Sequence, residues 1–240
     1  MKTPPKSEIR KNQILRAAER VFAQKGYQES TISDVAREAK VSDATIYEYF
    51  TSKEDLLFSI PGEMTRKYKE ELLTILTYVR GSGAKIRTVI QHYFGFYENH
   101  PDYASVAMLI LKQNRNFLEK EAYQEIREHA QLILDLIQEG IASGEFRDDI
   151  NPYLVRAAIL GTIEHLVIRR VLLGKPERLV QFTDPFTDLI LGGILSQKAK
   201  KAWNVRISLE SDETDKGKPL AEKKRKHPGV PGSKGISIPG

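Results

Sequence analysis

The fold is decided by residues 31–56, which read TISDVAREAKVSDATIYEYFTSKEDL. A hydroxyl side chain at the start of this stretch can cap a helix, because its oxygen accepts a hydrogen bond from a free backbone N–H. The apolar positions of that helix share one face: Ile32, Val35, Ala36 and Ala39. After a short turn, Ser42 offers a second cap, and Ile46 and Phe50 form the inward face of another short helix. The pattern predicts a helix-turn-helix.

Helical periodicity extends over most of the chain on both sides of this motif. One apolar stripe predicts a first helix over residues 8–25, ended by Gly26. Further helices are predicted over residues 53–79, 83–98, 102–115, 118–143, 151–173 and 184–198. No convincing alternation of apolar and polar residues marks a sheet, so we expect an all-α fold. Pro61, followed by Gly62, should kink or split the helix over 53–79.

The second helix of a helix-turn-helix enters the major groove of DNA, while the first crosses the backbone. Small groups lead the second helix in this chain, so it can approach base edges closely. Ala44 and the methyl group of Thr45 could contact a thymine methyl, and Thr45 or Asp43 could bond to base edges. Tyr47 and Tyr49 can donate to phosphates. Together these residues predict a DNA-reading surface.

In order and spacing, residues 9–57 resemble the DNA-binding domain of the TetR family of bacterial transcriptional regulators. The matching segments are residues 26–27, 31–36, 41–42, 45–50 and 52–56. The resemblance implies a homodimeric, usually repressing regulator whose helical C-terminal domain binds a small molecule and dimerises. By position it gives phosphate contacts to Thr31, Tyr47, Tyr49 and Lys53, and base reading to Ser42, Asp43, Ala44 and Thr45. Thr31 and Lys53 stand at predicted helix starts, where hydroxyl, ammonium and backbone N–H groups suit phosphate oxygens.

The chain departs from the family pattern in three ways. Lys40 stands where the turn usually has Gly, so it must adopt the left-handed conformation, or else the turn differs. Ala44 replaces the usual Gly or Lys and could read different bases. Asp43 and Glu48 direct carboxylates toward a polyanion, which is unfavourable unless each accepts from a cytosine amine or pairs with a cation. A plain aromatic core face is the alternative interpretation of Tyr47 and its neighbours, and for Phe50 we keep it.

A dimer interface is predicted at the end of the chain. Residues 154–173 are apolar at more positions than one stripe needs, with Leu154, Ala157, Ala158 and Gly161 on one face. Residues 182–194 repeat the pattern, and Gly193 permits close approach of another helix. We predict that the helices over 151–173 and 184–198 form a four-helix homodimer interface with their symmetry mates. Burial of both helices inside a monomer core is the alternative.

A ligand site is predicted between the motif and this interface. The apolar run through Leu109 ends in Lys112, Gln113 and Arg115, and an apolar tunnel with a cationic mouth suits an amphipathic anion such as an acyl chain carrying phosphates. A core helix with a solvated end is the alternative. Residues 109–114, 137–145 and 161–164 are similar to the TetR-type regulators of fatty-acid metabolism called FadR, which respond to long-chain acyl-CoA. Lys112 stands where that subgroup tends to have Arg, so a bidentate contact would become a point contact.

Composition and charge define the organisation that we expect. The 240 residues contain no cysteine, which excludes disulfide frameworks and thiolate metal sites. The net charge of +5 divides into +1 over residues 1–55, −2 over 56–195 and +6 over 196–240. We expect a three-helix DNA-binding domain with a basic N-terminal arm over 1–55 and a helical ligand-binding and dimerisation domain over 56–200. Residues 201–240 should be a basic, mostly disordered tail.

Other classes of protein are less well supported by the sequence. The five histidines form no metal-binding motif, and neither a complete dinucleotide loop, a nucleophile elbow nor a P-loop occurs. We therefore expect no catalytic residue, no metal and no cofactor. No apolar stretch is long enough to span a bilayer and no leader is evident, so we expect a cytoplasmic protein with no membrane partner. A helical carrier of a hydrophobic ligand that does not bind DNA, or a regulator that responds to a different apolar effector, remains open.

Overall fold

The computed structural model describes residues 5–203, and helices joined by short loops make up nearly all of this range. The helices are α1 (Lys6–Lys25), α2 (Ile32–Ala39), α3 (Asp43–Tyr47), α4 (Lys53–Leu76), α5 (Ser82–Asn99), α6 (Pro101–Ser105), α7 (Glu121–Ala142), α8 (Pro152–Leu173), α9 (Thr183–Ile194) and α10 (Gln197–Trp203). The described residues contain no β-strand, only an isolated antiparallel bridge between Phe146 and Leu195. The all-α prediction is confirmed. Apart from residues 201–203, which end α10, the predicted tail lies outside the described residues.

Local signals in the sequence set the boundaries of the first three helices. Gly26 ends α1 with a φ of 81°, a conformation that glycine adopts without strain. Thr31 caps α2 and forms a capping box with Asp34. Ser42 caps α3 by accepting from the backbone N–H of Thr45. Lys40 does adopt the left-handed conformation, with φ 53° and ψ 46°, so the turn keeps its shape without the usual glycine.

Two hydrophobic cores support the molecule. The first holds α1, α2 and α3 together with the start of α4, and both Ile46 and Phe50 are buried in it. The second is formed by residues of α4, α5, α7, α8 and α9. Tyr103 and Phe117, from the middle of the chain, belong to the first core. The segment between α5 and α7 therefore contributes to the first core, while Ala104 and Met108 of the same segment belong to the second.

Three predicted helices differ in the structure. The helix predicted over 102–115 ends at Ser105 and continues as a π-helical segment (Val106–Ile110) and a 3₁₀ turn (Leu111–Gln113). A second 3₁₀ segment (Arg115–Glu119) precedes α7, so the helix predicted from residue 118 begins at Glu121. The helix predicted over 184–198 is two helices, because the backbone at Leu195 is extended. Apolar periodicity does not distinguish these tighter and wider turns from an α-helix.

Pro61 does not split α4, which runs without a break from Lys53 to Leu76. A proline inside a helix removes one backbone hydrogen bond, yet packing on both sides can hold the helix together. Here Leu56, Leu57 and Ile60 precede the proline in the first core, and Leu72 follows it in the second. Burial on both sides therefore keeps the helix continuous across Pro61. No helix of the described residues is both long enough and apolar enough to cross a membrane.

Candidate functional site

The exposed face of α3 carries the residues predicted to read DNA. Ile46 is fully buried, whereas Asp43, Ala44 and Glu48 are exposed on the other side of the helix. Tyr47 is 57% exposed, so it is not a core aromatic residue. Tyr49 is half-buried and packs against the first core, next to Phe50. The two tyrosines therefore differ in exposure, and the side chain of Tyr47 is the more accessible to a DNA backbone.

Hydrogen bonds hold α3 against α2. The Ser33 hydroxyl donates to the Asp43 carboxylate over 2.5 Å, across the turn between the two helices. The hydroxyls of Ser42 and Thr45 share a hydrogen bond of 2.9 Å at the start of α3. The Asp43 carboxylate thus has a neutral hydroxyl partner within the chain instead of a cation. Sequence reasoning missed Ser33, although its place on the exposed side of α2 was readable.

Thr31 is exposed, and its hydroxyl is already engaged by the capping box. It donates to the Asp34 carboxylate over 3.0 Å and accepts from the Asp34 backbone N–H over 3.1 Å. The hydrogen bond from Lys25, followed by the one from Thr31, lowers the pKa of Asp34 to about 2. Thr31 and Asp34 therefore fix the start of α2, where free backbone N–H groups face outward.

Lys53 connects the start of α4 to the loop between α1 and α2. Its ammonium donates to the backbone carbonyls of Tyr27 and Ser30 over 2.7 and 2.8 Å. The ammonium also lies 4.4 Å from the centre of the Tyr27 ring. Because an ammonium has three N–H donors, one of them remains for a phosphate oxygen. Lys53 thus has a structural role that the sequence did not indicate.

A cavity of about 370 Å³ lies in the larger half of the chain. Its volume falls within the usual range for small-molecule sites. Aromatic rings form much of the wall: Tyr68, Tyr93, Phe96, Tyr97, Tyr103, Phe117 and Tyr123. Tyr93, Phe96 and Tyr97 are spaced three and four residues apart on α5, which places them on one helix face. That spacing was the signal in the sequence that could have found this wall.

The cavity has a polar opening with charges of both signs. Lys112 and Arg127 line it and are exposed, and Lys112 forms an ion pair with Glu164 of α8. Of the four residues predicted to bind ligand, the structure places only Lys112 in the wall. Leu109 packs against the second core instead, and Gln113 and Arg115 are exposed on the turns beside the cavity. The break in the predicted helix at Val106 changes which side chains face inward.

Two buried polar groups line the closed part of the cavity. Tyr68 is 6% exposed and His129 is 4% exposed. The Tyr68 hydroxyl and the His129 Nε2 have no hydrogen-bond partner among residues 5–203. Burial, with Lys69 and His92 as smaller contributors, lowers the pKa of His129 to about 4. The imidazole is therefore neutral near pH 7.

A third surface lies on α8 and α9. Leu154 is 69% exposed and Leu189 is 73% exposed, and Ala158 and Gly161 are exposed on the same face of α8 as Leu154. Nothing lies within 4 Å of a Cβ built on Gly161, Gly192 or Gly193. Phe186 and Ile194, within the helix predicted for the interface, are instead buried in the second core of the protomer. Helix α9 therefore divides its apolar residues between the core and an open face.

Comparisons with known proteins identify this arrangement. The family model described as bacterial regulatory proteins of the TetR family matches residues 14–60. The model described as the YsiA-like protein C-terminal region matches residues 63–193. The chain belongs to the TetR family. The resemblance seen in the helix-turn-helix is confirmed, and residues outside that motif share it.

The TetR-family relatives include regulators of fatty-acid metabolism. The fatty acid metabolism regulator protein of Bacillus subtilis is 30% identical over 182 residues, which cover 76% of this chain and 94% of that protein. The FadR structure from Bacillus halodurans matches with a TM-score of 0.72 and 27% identity, covering 80% of this chain and 98% of that one. FadR from Bacillus subtilis in complex with stearoyl-CoA matches with a TM-score of 0.68 and 31% identity, covering 76% and 98%. These relatives are transcriptional regulators.

Among residues 5–203, no group of three or more histidine, aspartate or glutamate side chains is placed to hold a metal ion. His165 is exposed on α8, and Glu164 is paired with Lys112. The candidate functional surfaces among the described residues are the α3 face, the aromatic cavity and the open face of α8 and α9.

Proposed function

We propose that this TetR-family regulator is a homodimeric repressor that leaves a palindromic operator when an acyl-CoA fills the aromatic cavity. The observation that carries the proposal is the cavity itself, an apolar space whose exposed rim bears Lys112 and Arg127. Apolar walls suit an acyl chain, and cations at the rim suit the phosphates that follow it. The FadR relative that binds stearoyl-CoA supports the choice of ligand.

On the DNA side, the proposal gives base reading to Ser42, Asp43, Ala44 and Thr45, with Tyr47 and Tyr49 on phosphates. The exposure of Asp43, Ala44 and Tyr47 supports these roles, because each can reach a groove or a backbone without rearrangement. Thr31 and Lys53 would hold the start of α2 and the loop before it against phosphates through backbone N–H groups and one remaining ammonium proton.

The dimer would place two α3 helices on successive major grooves. We propose the open faces of α8 and α9 as the contact, supported by the exposed Leu154 and Leu189 and by glycines without neighbours. A two-fold contact of this kind matches a palindromic operator, since half-site spacing follows from protein symmetry. The proposed domains are residues 1–55, 56–200 and 201–240, and the basic tail would add nonspecific affinity for DNA.

Shared packing provides a route from ligand to DNA. Tyr103, Ala107, Leu111 and Phe117 line the cavity and also belong to the first core, which holds the helix-turn-helix. The Phe117 ring lies 5.5 Å from the ring of Phe58 on α4, measured between centroids. A ligand that moves the cavity wall therefore shifts the population toward a different position of α4. We propose Pro61, between the two cores, as the lever.

A DNA-binding measurement with Tyr47→Phe tests the proposed reading face. The substitution removes one exposed hydroxyl from each protomer, so affinity for DNA from upstream of the protein's own gene should fall about tenfold. Tyr78→Phe is the matched control, because Tyr78 is 83% exposed and lies just beyond the C-terminal end of α4. If both variants and the parent have the same affinity for DNA, the α3 face does not read DNA, and a carrier of a hydrophobic ligand becomes the favoured function.

A further inference from the structure

We propose that the acyl ligand carries a neutral oxygen at its buried end, which the Tyr68 hydroxyl and the His129 imidazole receive. The inference rests on the proposed function, because it concerns the ligand of the same cavity. The proposed ligand thus differs from an acyl-CoA whose plain alkyl chain ends in a methyl group. A terminal hydroxyl or carbonyl oxygen on the acyl chain is the chemical class that fits.

Tyr68 and His129 each carry a buried polar atom whose hydrogen-bonding capacity is unused among the described residues. The Tyr68 hydroxyl and the His129 Nε2 are both buried and lack a hydrogen-bond partner within residues 5–203. Buried polar groups are nearly always hydrogen-bonded, because a buried group without a partner costs more free energy than an average hydrogen bond contributes. Both side chains line the cavity, on α4 and α7. A group inside the cavity is therefore their expected partner.

The exposed side of the cavity wall determines which end of the ligand is buried. The exposed members of the wall include Lys112, Leu118 and Arg127, so the opening lies on their side. An anionic head group binds there, next to cations. The opposite end of the ligand then lies among the side chains that solvent does not reach, which include Tyr68 and His129.

The protonation states of His129 and Tyr68 indicate whether the ligand group that they bind is charged or neutral. His129 is neutral near pH 7, because burial lowers its pKa to about 4. Lys69 and Glu128, the charged residues that influence the pKa of His129, pair with each other. Burial also raises the pKa of Tyr68, so its hydroxyl stays protonated. Two neutral partners in an apolar wall favour an uncharged oxygen over a carboxylate.

Calorimetric titration of the full chain in the absence of DNA tests the inference. The probes are octanoyl-, decanoyl- and dodecanoyl-CoA, each compared with its ω-hydroxy and its β-hydroxy counterpart. For at least one chain length, the ω-hydroxy ligand should bind about tenfold tighter than the plain one, because it satisfies groups that a methyl leaves unpaired. The β-hydroxy ligand has the same composition, yet its oxygen stays near the thioester, so it should gain nothing.

Substitutions of Tyr68 and His129 connect the preference to these residues. Tyr68→Phe keeps the ring and removes the hydroxyl, so the preference for the ω-hydroxy ligand should fall to about threefold or less. Tyr78→Phe, at an exposed tyrosine that does not line the cavity, should keep the full preference. Equal binding of plain and ω-hydroxy ligands, or a preference that Tyr68→Phe and His129→Phe both leave intact, would overturn the inference while leaving an acyl-CoA regulator in place. Failure of every acyl-CoA to bind would overturn the proposed ligand as well.

Discussion

Lys112 and Glu164 form an ion pair at the opening of the aromatic cavity, joining the 3₁₀ turn after the π-helical segment to α8. Both side chains are partly exposed. The ammonium that would meet an anionic ligand is thus already neutralised within the chain. Because Glu164 is on the same helix as the exposed Leu154 and Gly161, the pair also connects the ligand site with the proposed dimer face.

Replacing Glu164 with glutamine should increase the affinity for acyl-CoA. The substitution frees the Lys112 ammonium and removes a negative charge from the opening, and exposed pairs of this kind are worth up to about 1 kcal/mol. We expect binding to tighten about three- to fivefold at low salt in a calorimetric titration, and the gain to shrink as salt is added. Asp149→Asn, which breaks an exposed pair with Arg147 before α8, is the control and should leave ligand affinity unchanged. Weaker binding by Glu164→Gln would show that the carboxylate itself holds the ligand.

The free energy of unfolding should respond differently to two tyrosine substitutions. Tyr68→Phe removes a buried hydroxyl without a partner, so the ligand-free protein should be unchanged or stabilised by about 1 kcal/mol. Tyr103→Phe removes a hydroxyl that lies 3.3 Å from the Thr65 hydroxyl, so it should destabilise by about 1 kcal/mol. Urea denaturation of both variants measures these changes. A loss of stability in Tyr68→Phe as large as that in Tyr103→Phe would mean that the Tyr68 hydroxyl has a partner.

Glu19 should make stability depend on pH. Burial, and next the nearby Asp102, raise the pKa of Glu19 to about 7, while Arg20 and Arg16 oppose the shift. The carboxyl therefore binds a proton more tightly in the folded than in the unfolded chain, and its contribution is fully present below pH 4.5 and lost as the pH rises through about 7. Glu19→Gln should equal the parent at acid pH and exceed it above about pH 7 by about 1–2 kcal/mol, allowing for solvent screening of a half-buried group.

Urea midpoints of both proteins across this pH range measure the effect. Glu98→Gln offers a control. The Glu98 carboxylate accepts a hydrogen bond from the backbone N–H of Val180, so this variant should be less stable than the parent at neutral pH. A constant difference between Glu19→Gln and the parent from acid to alkaline pH would contradict the raised pKa.

The open face of α8 should determine the oligomeric state. Leu154→Glu places a charge in the proposed contact without touching the protomer core, because Leu154 is 69% exposed. We expect a folded monomer with an unchanged helical circular dichroism spectrum, measured by light scattering after size-exclusion chromatography. Tyr78→Glu, at another highly exposed apolar position, should remain dimeric. A dimeric Leu154→Glu variant would move the interface elsewhere.

Sequence reasoning predicted the helix-turn-helix closely because its signals are local. The cap at Ser42, the positive φ at Gly26 and the burial of Ile46 each follow from a residue and its near neighbours. The ligand cavity was less predictable, because the π-helical segment after Ser105 rotates Leu109 into the second core. Tertiary contacts decide such a change of turn, and the pairing of Lys112 with a residue 52 positions later is not visible in local spacing. The role of Lys53 in the loop at Tyr27 is nonlocal for the same reason.

Footprinting of the DNA upstream of the protein's own gene, with and without acyl-CoA, tests whether ligand binding in the cavity releases α3 from DNA. We expect a two-fold symmetric protected region in the absence of ligand and loss of that protection as acyl-CoA is added, with Tyr47→Phe requiring more protein for the same protection. Protection that is unaffected by acyl-CoA at concentrations that saturate the cavity in calorimetry would contradict the proposed coupling between the cavity and α3.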